Sequence, residues 1–141
     1  MISVCPSCRK KNRIPAANIM DSVRCGSCKV EIPPPSEPIE ADAALFDEVI
    51  HGAKVPVLVD FWAGWCGPCA IMAPYVKQAA KKSAGKALVL KVNTEDHPDL
   101  AARYRVQAIP NFVIIRDGRV TRQRAGVASP EQILSWLDEA A

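Results

Sequence analysis

The chain has 141 residues, 49% hydrophobic and 23% charged, a composition that excludes broad disorder and suits either one ordinary domain or a small module joined to a domain of about 100 residues. A formal charge of +3 is too mild to mark a nucleic-acid binder by itself. The excess is local: residues 1–35 carry six basic side chains against two acidic ones, and the rest of the chain carries 12 against 13.

The opening "MISVCPSCRKKNR" lacks an apolar h-region, so no secretory signal is expected. The longest apolar stretch, "VPVLVDFWAGW", is interrupted by Asp60 and falls well short of the ~20 residues that span a bilayer. A cytoplasmic protein without membrane association is the expectation. In that reducing compartment, cysteines point to metal ligation or redox catalysis before structural disulfides.

Residues 1–32 hold few large apolar side chains beyond Ile14, Ile19, Met20, Val23 and Val30, too few to fold by burial alone. A staple is written as "CPSC" at Cys5 and Cys8 and "CGSC" at Cys25 and Cys28, with 16 residues between the pairs. This is the four-cysteine zinc spacing, and a pair of disulfides is the competing reading. With all four ligands cysteine, no coordination position stays open, so the single zinc ion expected here is structural. The prolines of "IPPPSEPIEAD" cannot continue a helix or join a central strand. They divide the chain into a zinc-ribbon-like module (1–32), a linker (33–38) and a larger domain (39–141).

In that domain "DAALFDEVIHG" places Leu45, Phe46, Val49 and Ile50 at helical spacing. "VPVLVDFW" reads as a central strand buried on both faces, and a helix is predicted from Cys66 to Ser83 with Pro74 inside it. "ALVLKVN" is a second central strand and "HPDLAARY" a short helix that His97 precedes. "NFVIIRDGRVTRQRA" makes two strands about an Asp117-Gly118 turn, and "SPEQILSWLDEAA" a helix with a Ser129/Gln132 capping box and a buried stripe of Ile133, Leu134 and Leu137. The class is α/β, a mixed sheet covered by helices.

Two further cysteines lie in "WCGPC". Cys66 falls where a strand ends and a helix begins, facing unpaired amides and the positive end of the helix dipole, which favour thiolate. Cys69 stands one turn further in, expected to be the less exposed of the two, and can close a small disulfide ring with it. No cysteines remain to complete another zinc site, so the pair reads as a dithiol switch. Asp60, a carboxylate in a strand of Val, Leu and Phe, costs desolvation energy unless it has a role, and its pKa is expected above that of a free aspartate. Trp62 reads as a core residue.

"VDFWAGWCGPC", "AIP" at 108–110 and the glycine at 126 resemble thioredoxin, and the likeness runs through residues 37–141. With the four-cysteine module in front, the chain resembles the two-domain, zinc-binding bacterial members of that family. The resemblance implies a thioredoxin fold and general protein disulfide reduction, with recharging by a flavin-containing, NADPH-dependent thioredoxin reductase. It places Cys66, Cys69, Asp60 and Lys91 in the catalytic machinery, Pro110 as a cis-proline facing the dithiol, and Trp65, Gly67, Pro68, Ala108, Ile109, Gly126 and Val127 on the apolar surface that receives disulfide-containing client proteins. No bound organic cofactor is expected, and a monomer is. Gly64, Ala70 and Asn111 depart from the commonest family pattern; losing a cation after Cys69 bears on potential and client preference. A rival reading, a binding or chaperone protein with a nucleic-acid-binding ribbon, has the basic residues 1–35 in its favour. Against it, that segment has no aromatic residue on which a base could stack.

Overall fold

Two short hairpins lead the chain in the computed structural model, which describes residues 1–141. Strand β1 (Ile2–Val4) pairs antiparallel with β2 (Lys11–Arg13), and β3 (Val23–Arg24) with β4 (Glu31–Ile32). Each hairpin turns through one Cys-x-x-Cys pair, and the two turns repeat one hydrogen-bond pattern. Cys5 N–H donates to Lys10 C=O and Arg9 N–H to Cys5 C=O; Cys25 N–H donates to Val30 C=O and Lys29 N–H to Cys25 C=O. The sequence suggests that Gly and Ser inside the turns supply the backbone freedom. The left-handed residues are instead Arg9 (φ 65°) and Lys29 (φ 66°), each just past a second cysteine, where the chain reverses into its return strand.

The larger sheet has five strands, β5 (Ile39–Glu40), β6 (Val57–Trp62), β7 (Leu88–Asn93), β8 (Asn111–Arg116) and β9 (Arg119–Ala125), in the order β5-β7-β6-β8-β9. Strand β6 runs parallel to β7 and antiparallel to β8, and β5 is parallel to β7. Central β6 and β7 are built from β-branched and leucine side chains because both faces are covered. Alternation along β6 sends Val57, Val59 and Phe61 toward α1 (Ala43–Gly52) and α3 (Pro98–Arg103), and Leu58, Asp60 and Trp62 toward α2 (Gly67–Lys82) and α4 (Pro130–Ala140). The β8–β9 turn has Asp117 at φ 54° and Gly118 at φ 76°, the two positive values of the hairpin turn that Asp-Gly predicts. The capping box on α4 forms, with Ser129 and Gln132 exchanging hydrogen bonds. On α4, Trp136 rather than Leu134 fills the buried stripe with Ile133 and Leu137, and Leu134 is only partly buried.

Strand β5 has no counterpart in the sequence reading. It is two residues long at an edge, too short to carry a periodic signal. The contact between the module and α1 is the larger addition. Met1, Ile14, Ile19 and Ile32 share one apolar cluster with Phe46, Val49 and Ile50, and the Met1 ammonium pairs with the Glu48 carboxylate. Gly52 sits against the short 3-10 turn Ala16–Asn18, so that a Cβ there would come within 3.0 Å of the Ala16 Cβ. The proline-rich segment therefore bridges two parts that are packed together. No helix is long and apolar enough to cross a membrane.

Candidate active site and candidate metal centre

The end of β6 delivers the chain to the start of α2, and Cys66 is the N-cap of that helix. Its Sγ accepts the Cys69 N–H at 3.2 Å and lies 3.7 Å from the Ile109 carbonyl oxygen. An N-cap position turns orphan amides toward the sulfur and puts it at the positive end of the helix dipole, both of which stabilise a thiolate. Pro68 sits in the first turn, where its missing N–H costs nothing. Cys66 and Cys69 are joined as a disulfide, with Cα atoms 5.2 Å apart. Exposure does not separate them, contrary to the sequence expectation. Cys66 is 4% and Cys69 7% accessible, because Cys66 packs with Ala63, Cys69 and the partly buried Trp62 and Ile109. What distinguishes Cys66 is its place at the helix cap.

Around the disulfide three segments meet. The Ile109–Pro110 peptide is cis, and the Pro110 carbonyl accepts the Gly126 N–H at 2.8 Å. Gly126 has φ +95° with open space where a Cβ would go, so backbone conformation and not crowding calls for glycine. Trp65 is 72% and Val127 54% exposed; Gly67, Pro68 and Ala108 are exposed beside them, while Ile109 is half-buried and Pro110 buried. Asn111, one of the departures from the family pattern, donates to Ala108 C=O and accepts from Gln123, bracing the loop that carries the cis-proline.

Asp60 is 3% accessible, and its Oδ1 has no hydrogen-bond partner. Burial pushes its carboxyl up to about 7, while Lys91 pulls it down and Glu40 pushes it further up. Strand register explains this company, since Asp60 lies beside Lys91 on β7 and Lys91 beside Glu40 on β5. Trp62, two residues along β6 and on the same face, is half-buried. Its Nε1 donates to Glu40 Oε2 at 3.3 Å, and the Lys91 ammonium rests 4.6 Å from its ring centroid. Trp62 is thus less a core residue than a platform linking two charges, a role its place in an apolar run conceals.

The four remaining cysteines converge. Their sulfurs lie within 4.8 Å of one another, with Cys5 3.5 Å from Cys28 and Cys8 3.6 Å from Cys25. Zn–S bonds of ~2.3 Å put the sulfurs of a tetrahedron about 3.8 Å apart, so the donor set fits such an ion. The Cys8 amide approaches Cys5 Sγ at 3.5 Å and the Ser27 amide Cys25 Sγ at 3.4 Å. The Cys28 amide, Asn12 and the Ser27 amide hold the Cys25 thiol down at about 5. Asn12, absent from the sequence reading, also accepts from Gly26 N–H at 2.9 Å and so ties one hairpin to the other. His51 and His97 are not part of this cluster; His97 precedes α3 without a side-chain cap.

A disulfide at a strand-to-helix junction beside a cis-proline defines a thiol–disulfide oxidoreductase. The chain belongs to the thioredoxin family: residues 37–139 match the family model described as "Thioredoxin", and residues 4–30 the one described as "Thioredoxin 2, N-terminal", the family's zinc ribbon. It is 37% identical over 139 residues to thioredoxin C-3 of Corynebacterium nephridii, covering 99% of this chain and 94% of that one. Thioredoxin 1 of Chlorobaculum tepidum is 42% identical over 91 residues, 64% of this chain and 90% of its own. Among solved structures, a mutant thioredoxin from Halobacterium salinarum is similar with a TM-score of 0.69 and 28% identity, over 75% of this chain and 92% of that one.

The raised carboxyl of Asp60 makes stability depend on pH. A folded pKa of about 7 against an ordinary value of 3.8 means the native state holds the proton longer than the unfolded chain. The contribution of Asp60 to stability is therefore full below about pH 4, falls as pH rises toward 7, and then levels. The fall is up to about 4 kcal/mol at 1.36 kcal/mol per unit. Asp60→Asn removes it, so urea denaturation should show the variant gaining stability over the wild type near pH 8 relative to near pH 4. A variant-minus-wild-type difference that is the same at both pH values contradicts the burial argument.

Proposed function

We propose that the protein is a general protein disulfide reductase. The observation that carries this reading is a helix-capping Cys66, bonded to Cys69, directly after the strand that holds a buried carboxyl without a hydrogen-bond partner. In the reduced state the Cys66 thiolate attacks one sulfur of a client disulfide; a Cys66–client bond forms, and the client's other sulfur leaves as a thiolate and takes a proton from water. Cys69 then gives its proton to Asp60, directly or through water, and attacks Cys66 Sγ. The Cys66–Cys69 bond closes, and the client's second sulfur leaves as a thiolate that takes a proton from water. Two electrons pass from protein to client, and Lys91 steadies the Asp60 carboxylate that must be present to accept that proton. The surface around the disulfide formed by the exposed Trp65, Gly67, Pro68, Ala108 and Val127, with the more buried Ile109, Pro110 and Gly126 beneath them, receives the client chain. The oxidised pair is recharged by an NADPH-dependent thioredoxin reductase, and the protein works as a cytoplasmic monomer.

The first module holds one zinc ion through Cys5, Cys8, Cys25 and Cys28. With four thiolate ligands the ion supplies folding energy to the hairpins and takes no part in exchange. Metal analysis of the reduced protein should find one zinc per chain and none in a Cys5→Ser/Cys25→Ser variant; a metal-free wild-type protein overturns this assignment.

The two active-site cysteines should part company on substitution. Cys66→Ser loses client capture entirely, whereas Cys69→Ser still attacks and accumulates mixed disulfides, because the covalent intermediate has lost its intramolecular exit. Non-reducing gels read this directly. Equal, complete loss of capture in both variants rules out the roles given to them.

A further inference from the structure

Strand register lines up three charged residues on the face of the sheet turned toward the disulfide: Glu40 on β5, Lys91 on β7 and Asp60 on β6. One cation thus stands between two acids. It makes an ion pair with neither, since no carboxylate oxygen lies within 4.0 Å of Lys91 Nζ among the ion pairs of the chain. The ammonium rests on the Trp62 ring, and that indole is fixed at its other end by Glu40. The edge acid, the lysine and the indole form one assembly, and Asp60 Oδ1 stays unpartnered beside it.

We propose that Glu40 is a positioning residue for the exchange reaction: it fixes Trp62, draws on the same lysine as Asp60, and so sets the pH at which Asp60 can take the proton of the resolving thiol. This rests on the reading of Asp60 as that proton's acceptor. Two effects act in one direction. The Glu40 carboxylate repels a second negative charge two strands away, about 10 Å by ordinary strand spacing, and it competes for the field of the only cation between them. Without Glu40, Lys91 serves Asp60 alone and the Asp60 anion forms at lower pH.

The charged groups that face this array are few. Asp60 feels Lys91 from the adjacent strand β7 and Glu40 from β5 beyond it. Partial burial raises the Glu40 carboxyl against the pull of Lys91 and the Trp62 hydrogen bond; beyond those, Asp96 pushes it up and His97 pulls it down. Glu40 also lines an open cavity of about 510 Å³ with Asp42, Asp96 and His97, which leaves its outer side to solvent. Its carboxyl thus has one side on Trp62 and the other open to water.

Glu40→Gln tests this in the zinc-loaded chain of 141 residues. The amide keeps an oxygen for Trp62 Nε1, so it removes the charge and leaves the hydrogen bond. Carbon-13 NMR titration of the Asp60 carboxyl in the oxidised protein should show its midpoint fall by roughly half a pH unit, the size expected of one charge at this range under partial solvent screening. The rate of client release from the mixed disulfide, followed against pH, should move down in parallel. An unchanged Asp60 midpoint overturns the inference about Glu40, whatever the rates do. A shifted midpoint with an unmoved rate profile sustains Glu40's hold on Asp60 and overturns Asp60 as the proton acceptor.

Discussion

An aspartate carboxyl without a hydrogen-bond partner is held inside the central strand of the sheet, and the organisation of the site follows from that constraint. Strand β6 is hydrogen-bonded along its length to β7 on one side and β8 on the other, so the backbone has no freedom to carry Asp60 out to water. The cost of burying the charge is met by keeping the proton. A group that keeps its proton to about pH 7 changes state where a thiol must be deprotonated at neutral pH. The same strand, three residues on, turns into the loop that presents Cys66 as a helix cap. Acid and dithiol are thus held in fixed relation by one continuous piece of chain.

Three Cys-x-x-Cys pairs lie in this protein, and backbone context gives them two chemistries. In the hairpins each pair turns between two short strands, a left-handed residue follows the second cysteine, and amides converge on the sulfurs of both turns. Two such turns face each other and make a closed four-sulfur set. At the third pair a strand runs into a helix, and the first sulfur meets the amide of its own partner. Intramolecular disulfide closure is the result there. Spacing is common to both cases; what differs is whether a second pair stands opposite.

The sequence made legible whatever rests on periodicity or on local turn chemistry: the β-branched runs of β6 and β7, the Asp117-Gly118 hairpin, the Ser129 cap and the helix start at Cys66. The fold class, the family and both cysteine groups followed from those signals and from motif spacing. What could not be read depends on contacts between distant segments. Docking of the module on α1 needs Ile14, Ile19 and Ile32 to meet Phe46 and Val49 across a proline-rich segment that reads as a spacer. Glu40 and Trp62 look unrelated until β5 is seen beside β7. The burial of Cys66 depends on the cis-proline loop, which is some forty residues away in the chain.

Insulin reduction under dithiothreitol tests the central claim, exchange through the Cys66–Cys69 pair, most directly. Reduced insulin B chain precipitates, so the turbidity onset reports disulfide exchange without any partner enzyme. The account predicts that catalytic amounts of the folded, zinc-loaded chain bring the onset forward well ahead of dithiothreitol alone. An onset identical to the dithiothreitol control, with the chain demonstrably folded, contradicts it.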